Sequence, residues 1–136
     1  MVNILDDSII SETQTEMRKL KGKDKFEMMI EMQLEAAARY GLKLPVDLNT
    51  KKGQKLLKDL VFCMVEELFE MTNTLKNREW TKTEVQLDKE HFLDELSDVM
   101  LFFFEFLGAT GIPPEKLLEL FLKKFKVNEF RNKTNY

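Results

Sequence analysis

A chain of 136 residues, 43% hydrophobic and 33% charged, is long enough to bury a core of its own and short enough to form a single domain spanning residues 1–136. Its formal net charge of −3 argues against a sequence-independent grip on nucleic acid, which needs a basic face to displace counterions. The lone Cys63 lies among apolar residues, so an intrachain disulfide is excluded and a reducing compartment is expected.

The polar N-terminus carries no signal-peptide pattern, and residues 1–23 are expected to form a peripheral segment. After it the dominant hydrophobic period is helical, with no useful run of strand alternation. "DKFEMMIEMQLEAAARYG" predicts a helix with Asp24 as N-cap, Glu27 in capping-box position and Gly41 at the C-terminal stop. "LPVDLNT" breaks the chain. From about Thr50 to Lys76, Leu57, Leu60, Met64, Leu68, Met71 and Leu75 recur at spacings of three and four and predict an apolar stripe facing a core. "KNREWTKTEVQLDKE" reads as a loop. Asp88 then caps a third helix over residues 89–107, closed by "GATG", and Pro113-Pro114 open a fourth that runs to about Phe130. The most apolar run, from Val99 to Gly111, is too short for a bilayer and is interrupted by Glu105, so no membrane partner and a cytoplasmic location are expected. The fold class expected is all-α, a four- to five-helix bundle. Phenylalanines from Phe102 to Phe106 exceed what one face of a small bundle buries, which predicts a homodimer paired through helices.

The second predicted helix holds an oddity: "VEELFEM" sets Glu66, Glu67 and Glu70 inside apolar sequence. A helix advances about 100° per residue, so the three carboxylates share one strip and repel. On the third helix "DELSDVM" repeats the device with Glu95 and Asp98. Two facing pairs would form an oxygen-rich cage for a hard divalent cation such as Mg²⁺. The same spacing also suits an ordinary solvated acidic face. A ferritin-like di-iron cage needs Glu-x-x-His on two helices. This chain has one histidine, and Asp88-x-x-His91 reads as a helix start rather than a ligand set.

In this order, "EELFE", a spacer and "ELSD" resemble the EExxE…ExxD signature of the all-α nucleoside triphosphate pyrophosphohydrolases, the group of dimeric dUTPases and MazG-like enzymes. The joining segment "NTLKNREWTKTEVQLDKEHFLDELSDV" and the tail "FLKKFKVNEFRNKTNY" are similar to those of phage-type dUTPase-like proteins, and the likeness covers about Phe26 to Tyr136.

The resemblance implies that Glu67, Glu70, Glu95 and Asp98 bind Mg²⁺, for which Mn²⁺ substitutes. Glu66 becomes an outer ligand or the group that positions the attacking water, completing a catalytic set of Glu66, Glu67, Glu70, Glu95 and Asp98. Lys124, Asn128 and Arg131, spaced four and three apart on one helix face, would grip a triphosphate, although basic residues near a helix C-terminus also arise simply to complement its dipole. Gln33, Trp80 and Tyr136 complete the implied nucleotide contacts. The expected reaction turns a deoxynucleoside triphosphate, dUTP first and dCTP or dTTP next, into monophosphate and pyrophosphate in the cytosol of a bacterium or a phage-infected host. "MQLEAA" keeps Gln33 but has Ala36 and Ala37 where the family's nucleoside-reading Q-x-x-L-N element has Leu and Asn, which weakens strict dUTP selectivity. The rival expectation is a non-catalytic nucleotide binder or helical interaction protein that retains the pocket.

Overall fold

The computed structural model describes residues 7–134, all of whose regular structure is helical: α1 (Asp7–Lys19), α2 (Lys25–Arg39), α3 (Lys51–Asn73), α4 (Lys89–Thr110) and α5 (Pro114–Thr134). Tyr136 lies outside the described residues. The helix starts follow from side chains that satisfy the otherwise orphaned first N–H groups. Asp24 Oδ1 accepts from the Glu27 N–H at 2.8 Å, Thr50 Oγ1 from the Gly53 N–H at 3.0 Å and Asp88 Oδ1 from the His91 N–H at 3.2 Å. At the other end of α4, Gly111 takes the left-handed conformation at φ 68° that stops a helix without steric cost.

The five helices of the described residues fall within the four to five expected, and α1 is the one whose position the sequence did not mark. α1 occupies most of the N-terminal segment and has no fully buried residue. The second predicted helix ends at Asn73 rather than Lys76, and the last extends to Thr134.

α4 is the hub, packed against both α3 and α2. α3 and α4 run antiparallel: Leu57, Lys58, Val61 and Phe62 of α3 line one hollow with Phe106, while Glu67 lies near Glu95 and Asp98. The core on the α2 side is Ile30, Phe104 and Leu107, with Met29, Leu34, Phe106 and Leu117 against it. Phe104 takes edge-to-face contacts from both Phe26 and Phe103, at ring separations of 5.4 and 5.5 Å. A Cβ at Gly108 would come within 3.0 Å of the Leu34 side chain, so the absence of a side chain there lets α2 approach α4 closely. The Val46 N–H donates to the Ala109 carbonyl at 3.0 Å and ties the α2–α3 connection to the end of α4.

The exposed apolar surface is not where the phenylalanine run placed it. Phe104 is buried, Phe102 and Phe106 are half-buried, and of the four only Phe103 is exposed. The larger exposed surfaces are on α3, with Val61, Phe62, Val65, Leu68 and Phe69, and on α5, with Leu118, Phe121, Leu122, Phe125 and Phe130. In the stripe expected to face the core, Leu60 is buried and Leu57, Met64 and Met71 are half-buried, but Leu68 is exposed and Leu75 lies exposed beyond the helix. Cys63 is half-buried and free. No single described helix is long and apolar enough to cross a membrane.

Candidate functional site

The antiparallel pairing of α3 with α4 brings together carboxylates that are about thirty positions apart in the chain. Glu67 from α3 and Glu95 and Asp98 from α4 each offer one oxygen, and these oxygens lie within 4.8 Å of one another. Glu95 is 2% exposed. Its Oε1 lies at hydrogen-bond distance from His91 Nε2, 2.9 Å, while its Oε2 is buried with no hydrogen-bond partner. An ionised carboxylate can only accept, and a buried acceptor left unmet costs its full desolvation penalty. The neighbouring acids, when ionised, are acceptors too, and a cation would satisfy this oxygen without protonating either of them. A hard divalent ion fits the all-oxygen donor set.

The electrostatics carry the signature of crowded negative charge. Burial, then the charges of Glu70, Asp98, Glu95 and Glu66, raise the Glu67 carboxyl above the ordinary glutamate range. Burial, then Asp94 and Glu70, raise Asp98 in the same direction. Both effects disfavour the ionised forms in the metal-free chain.

The structure thus joins Glu67, Glu95 and Asp98 in one cluster. Glu70 is exposed, with its charge near enough to perturb both Glu67 and Asp98. Glu66 is exposed, and its charge is the last-ranked influence on Glu67. Gln33 is half-buried and its Nε2 donates to the Leu101 carbonyl at 2.6 Å, three residues past Asp98, so its donor already serves the α2–α4 contact. Trp80 is 78% exposed with the Arg78 guanidinium 5.9 Å from its ring centre. Its loop is braced by Asn77, whose Nδ2 donates to the Val85 carbonyl at 3.0 Å and whose Oδ1 accepts from the Val85 N–H at 2.6 Å. Lys124, Asn128 and Arg131 are exposed along α5, which reaches the core through Leu117 in its first turn. No described ion pair links these cations to the acidic cluster.

Two participants escaped the sequence reading. The His91 backbone sits at the helix start as expected, but its side chain contacts Glu95, and Asp94 adds a charge beside Asp98. The signal for His91 was available, since residues four apart share a helix face.

A cleft of about 550 Å³ is lined by Phe26, Phe103, Leu107, Leu117, Leu118 and Phe121, with Asp24, Glu27 and Glu115 also on it. It contains no cation and no member of the acidic cluster. Its apolar walls and acidic groups do not suit a triphosphate, so size alone does not locate the chemistry.

No protein-family model, curated protein or solved structure compared with this chain matches it.

Proposed function

We propose that this chain is a Mg²⁺-dependent nucleoside triphosphate pyrophosphohydrolase of the all-α type, with Mn²⁺ as a substitute metal. One observation carries the reading: a 98%-buried glutamate on α4 keeps one oxygen unpartnered within a cluster of carboxylates from two helices. Glu67, Glu95 and Asp98 would hold the cation, with Glu70 one turn along α3 supplying a further carboxylate. When bound, the cation supplies charge neutralisation at the phosphates and activation of water near neutral pH. Glu66, exposed at the edge of the cluster, orients the attacking water. Water adds across the α–β phosphoanhydride, and the products are the nucleoside monophosphate and pyrophosphate. Lys124 and Arg131 carry the positive charge that grips the phosphates, Asn128 contacts the sugar or an adjacent phosphate, and Gln33, Trp80 and Tyr136 contact the nucleoside. The preferred substrate is dUTP, followed by dCTP or dTTP. A homodimer is part of this reading, because the exposed apolar face of α3 adjoins the strip that carries the acids.

The test is pyrophosphate release from the common nucleotides with Mg²⁺, run beside Glu67→Gln and Glu70→Gln. Release that needs Mg²⁺ and vanishes in both variants supports the proposal, while wild-type turnover in either variant removes that residue from the site. The exposed apolar surfaces of α3 and α5 favour a second reading, a non-catalytic nucleotide binder or helical interaction protein. Nucleotide binding without release of pyrophosphate from any substrate would select it.

A further inference from the structure

We infer that His91 is a positioning residue of the metal centre, acting through Glu95; the inference rests on the metal-binding reading above. His91 lies in the first turn of α4, where its backbone N–H is held by Asp88 Oδ1. That contact anchors the turn and leaves the side chain to extend along the helix face toward the residue four positions on. His91 Nε2 lies 2.9 Å from Glu95 Oε1. A carboxylate bound to a cation only accepts, so in the metal-bound centre Nε2 would be the donor to Oε1.

The consequence is a division of labour between the two oxygens of one carboxylate. The imidazole occupies Oε1 and fixes the rotation of the group, Oε2 is buried and unpartnered, and one Glu95 oxygen lies within 4.8 Å of oxygens of Glu67 and Asp98. Glu95 therefore offers its neighbours one oriented oxygen. The His91 side chain is half exposed whereas that of Glu95 is 2% exposed, so the imidazole also lies on the solvent side of the ligand. Without it, Glu95 loses the contact that fixes its orientation, and Oε1 loses its donor in a site from which water is largely excluded. Partners that orient a metal-binding side chain typically change affinity by about 10- to 100-fold when removed.

A purely structural His–Glu pair would lower the melting temperature when the donor to a buried carboxylate oxygen is lost, but it would leave the metal affinity of the folded chain unchanged. Metal affinity therefore separates the two roles. Mn²⁺ binding to the full chain is measured by calorimetry and by the electron paramagnetic resonance signal of free Mn²⁺, for wild type, Glu67→Gln, His91→Ala and His91→Gln, with circular dichroism checking the fold of each. Wild type should bind Mn²⁺ and Glu67→Gln should bind far more weakly. His91→Ala, compared where circular dichroism shows it folded, should bind about 10- to 100-fold more weakly than wild type. His91→Gln, whose amide can donate to the residue four positions on, should recover most of the affinity. If His91→Ala binds Mn²⁺ within about twofold of wild type while Glu67→Gln has lost it, the metal centre stands and the role of His91 is overturned. An equal loss in His91→Gln and His91→Ala also overturns donation by the side chain as the cause. Should His91→Ala fail to fold, His91→Leu against His91→Gln carries the same comparison. A wild type that binds no Mn²⁺ at millimolar concentration removes the metal reading and this inference with it.

Discussion

Glu67→Gln tests whether the acidic cluster is a site held at a cost in stability. The change keeps the side-chain volume almost constant and removes one of three charges whose oxygens lie within 4.8 Å of one another. At that separation each like-charge pair costs about 0.9 kcal/mol in the dielectric of water and about 3.5 kcal/mol at an effective dielectric of 20. Glu67 is half-buried and partly screened, so the lower figure applies, and relieving its two pairs is worth about 1–2 kcal/mol. A domain of this size shifts its melting temperature by roughly 3–4 °C per kcal/mol. In EDTA the variant should therefore melt about 3–8 °C above wild type. Saturation with cation at about 100 times Kd adds about 2.7 kcal/mol to a protein that binds it. Wild type should then rise by roughly 8–11 °C in Mg²⁺ and the variant by much less, reversing their order. Differential scanning fluorimetry in EDTA and in Mg²⁺ reads both effects. A variant less stable than wild type in EDTA, or equal rises in Mg²⁺, would refute the reasoning.

The raised carboxyls of Glu67 and Asp98 bind protons in the folded chain at pH values where the unfolded chain has already lost them. Stability from these groups is thus complete below the ordinary carboxylate range and is lost as pH rises through the raised values. In EDTA the gap between Glu67→Gln and wild type should narrow as pH falls from neutral into the ordinary carboxylate range, and thermal melts showing it widen would contradict the assignment. Arg131→Ala lies on an exposed helix and should leave the melting temperature within about a degree. On the best nucleotide it should lower kcat/KM about tenfold to a hundredfold, from loss of a charge-assisted phosphate contact, and a change within about twofold would make Arg131 an ordinary terminal cation. Gly53→Ala would set a Cβ onto the Asp47 carbonyl oxygen at the buried start of α3. It should cost at least about 2 kcal/mol, and an unchanged urea midpoint would show that the Asp47–Thr50 turn can open without cost.

Local chemistry explains which parts of the fold the sequence disclosed. Asp24, Thr50 and Asp88 act through the N–H groups three residues on, and Gly111 through its own backbone, so each boundary is written within a few residues. α1 is the helix whose position the sequence did not mark, and none of its residues is fully buried. The pairs Glu67/Glu70 and Glu95/Asp98 were visible as spacings, but spacing cannot say which acid of a pair turns toward the neighbouring helix. Packing turns Glu67 into the cluster and leaves Glu70 exposed. The apolar surplus misled for the same reason: Phe26 and the bare backbone of Gly108 let α2 lie close on α4, so most of the run from Phe102 to Phe106 is covered within one chain. His91 was a side-chain question, and the backbone cap at Asp88 answered only half of it.

Because the clustered acids come from two consecutive helices joined by a connection braced at Asn77 and Val85, a cation across Glu67 and Glu95 would act as a reversible staple on a closed loop of the chain. Loops of this modest length carry a small closure entropy, so the staple could set while the hairpin is still an isolated piece of structure. In a chain made from its N-terminus, α3 and α4 are complete before α5 leaves the ribosome. Cation supply would then influence when this protein becomes a finished molecule, as well as what the finished molecule can do.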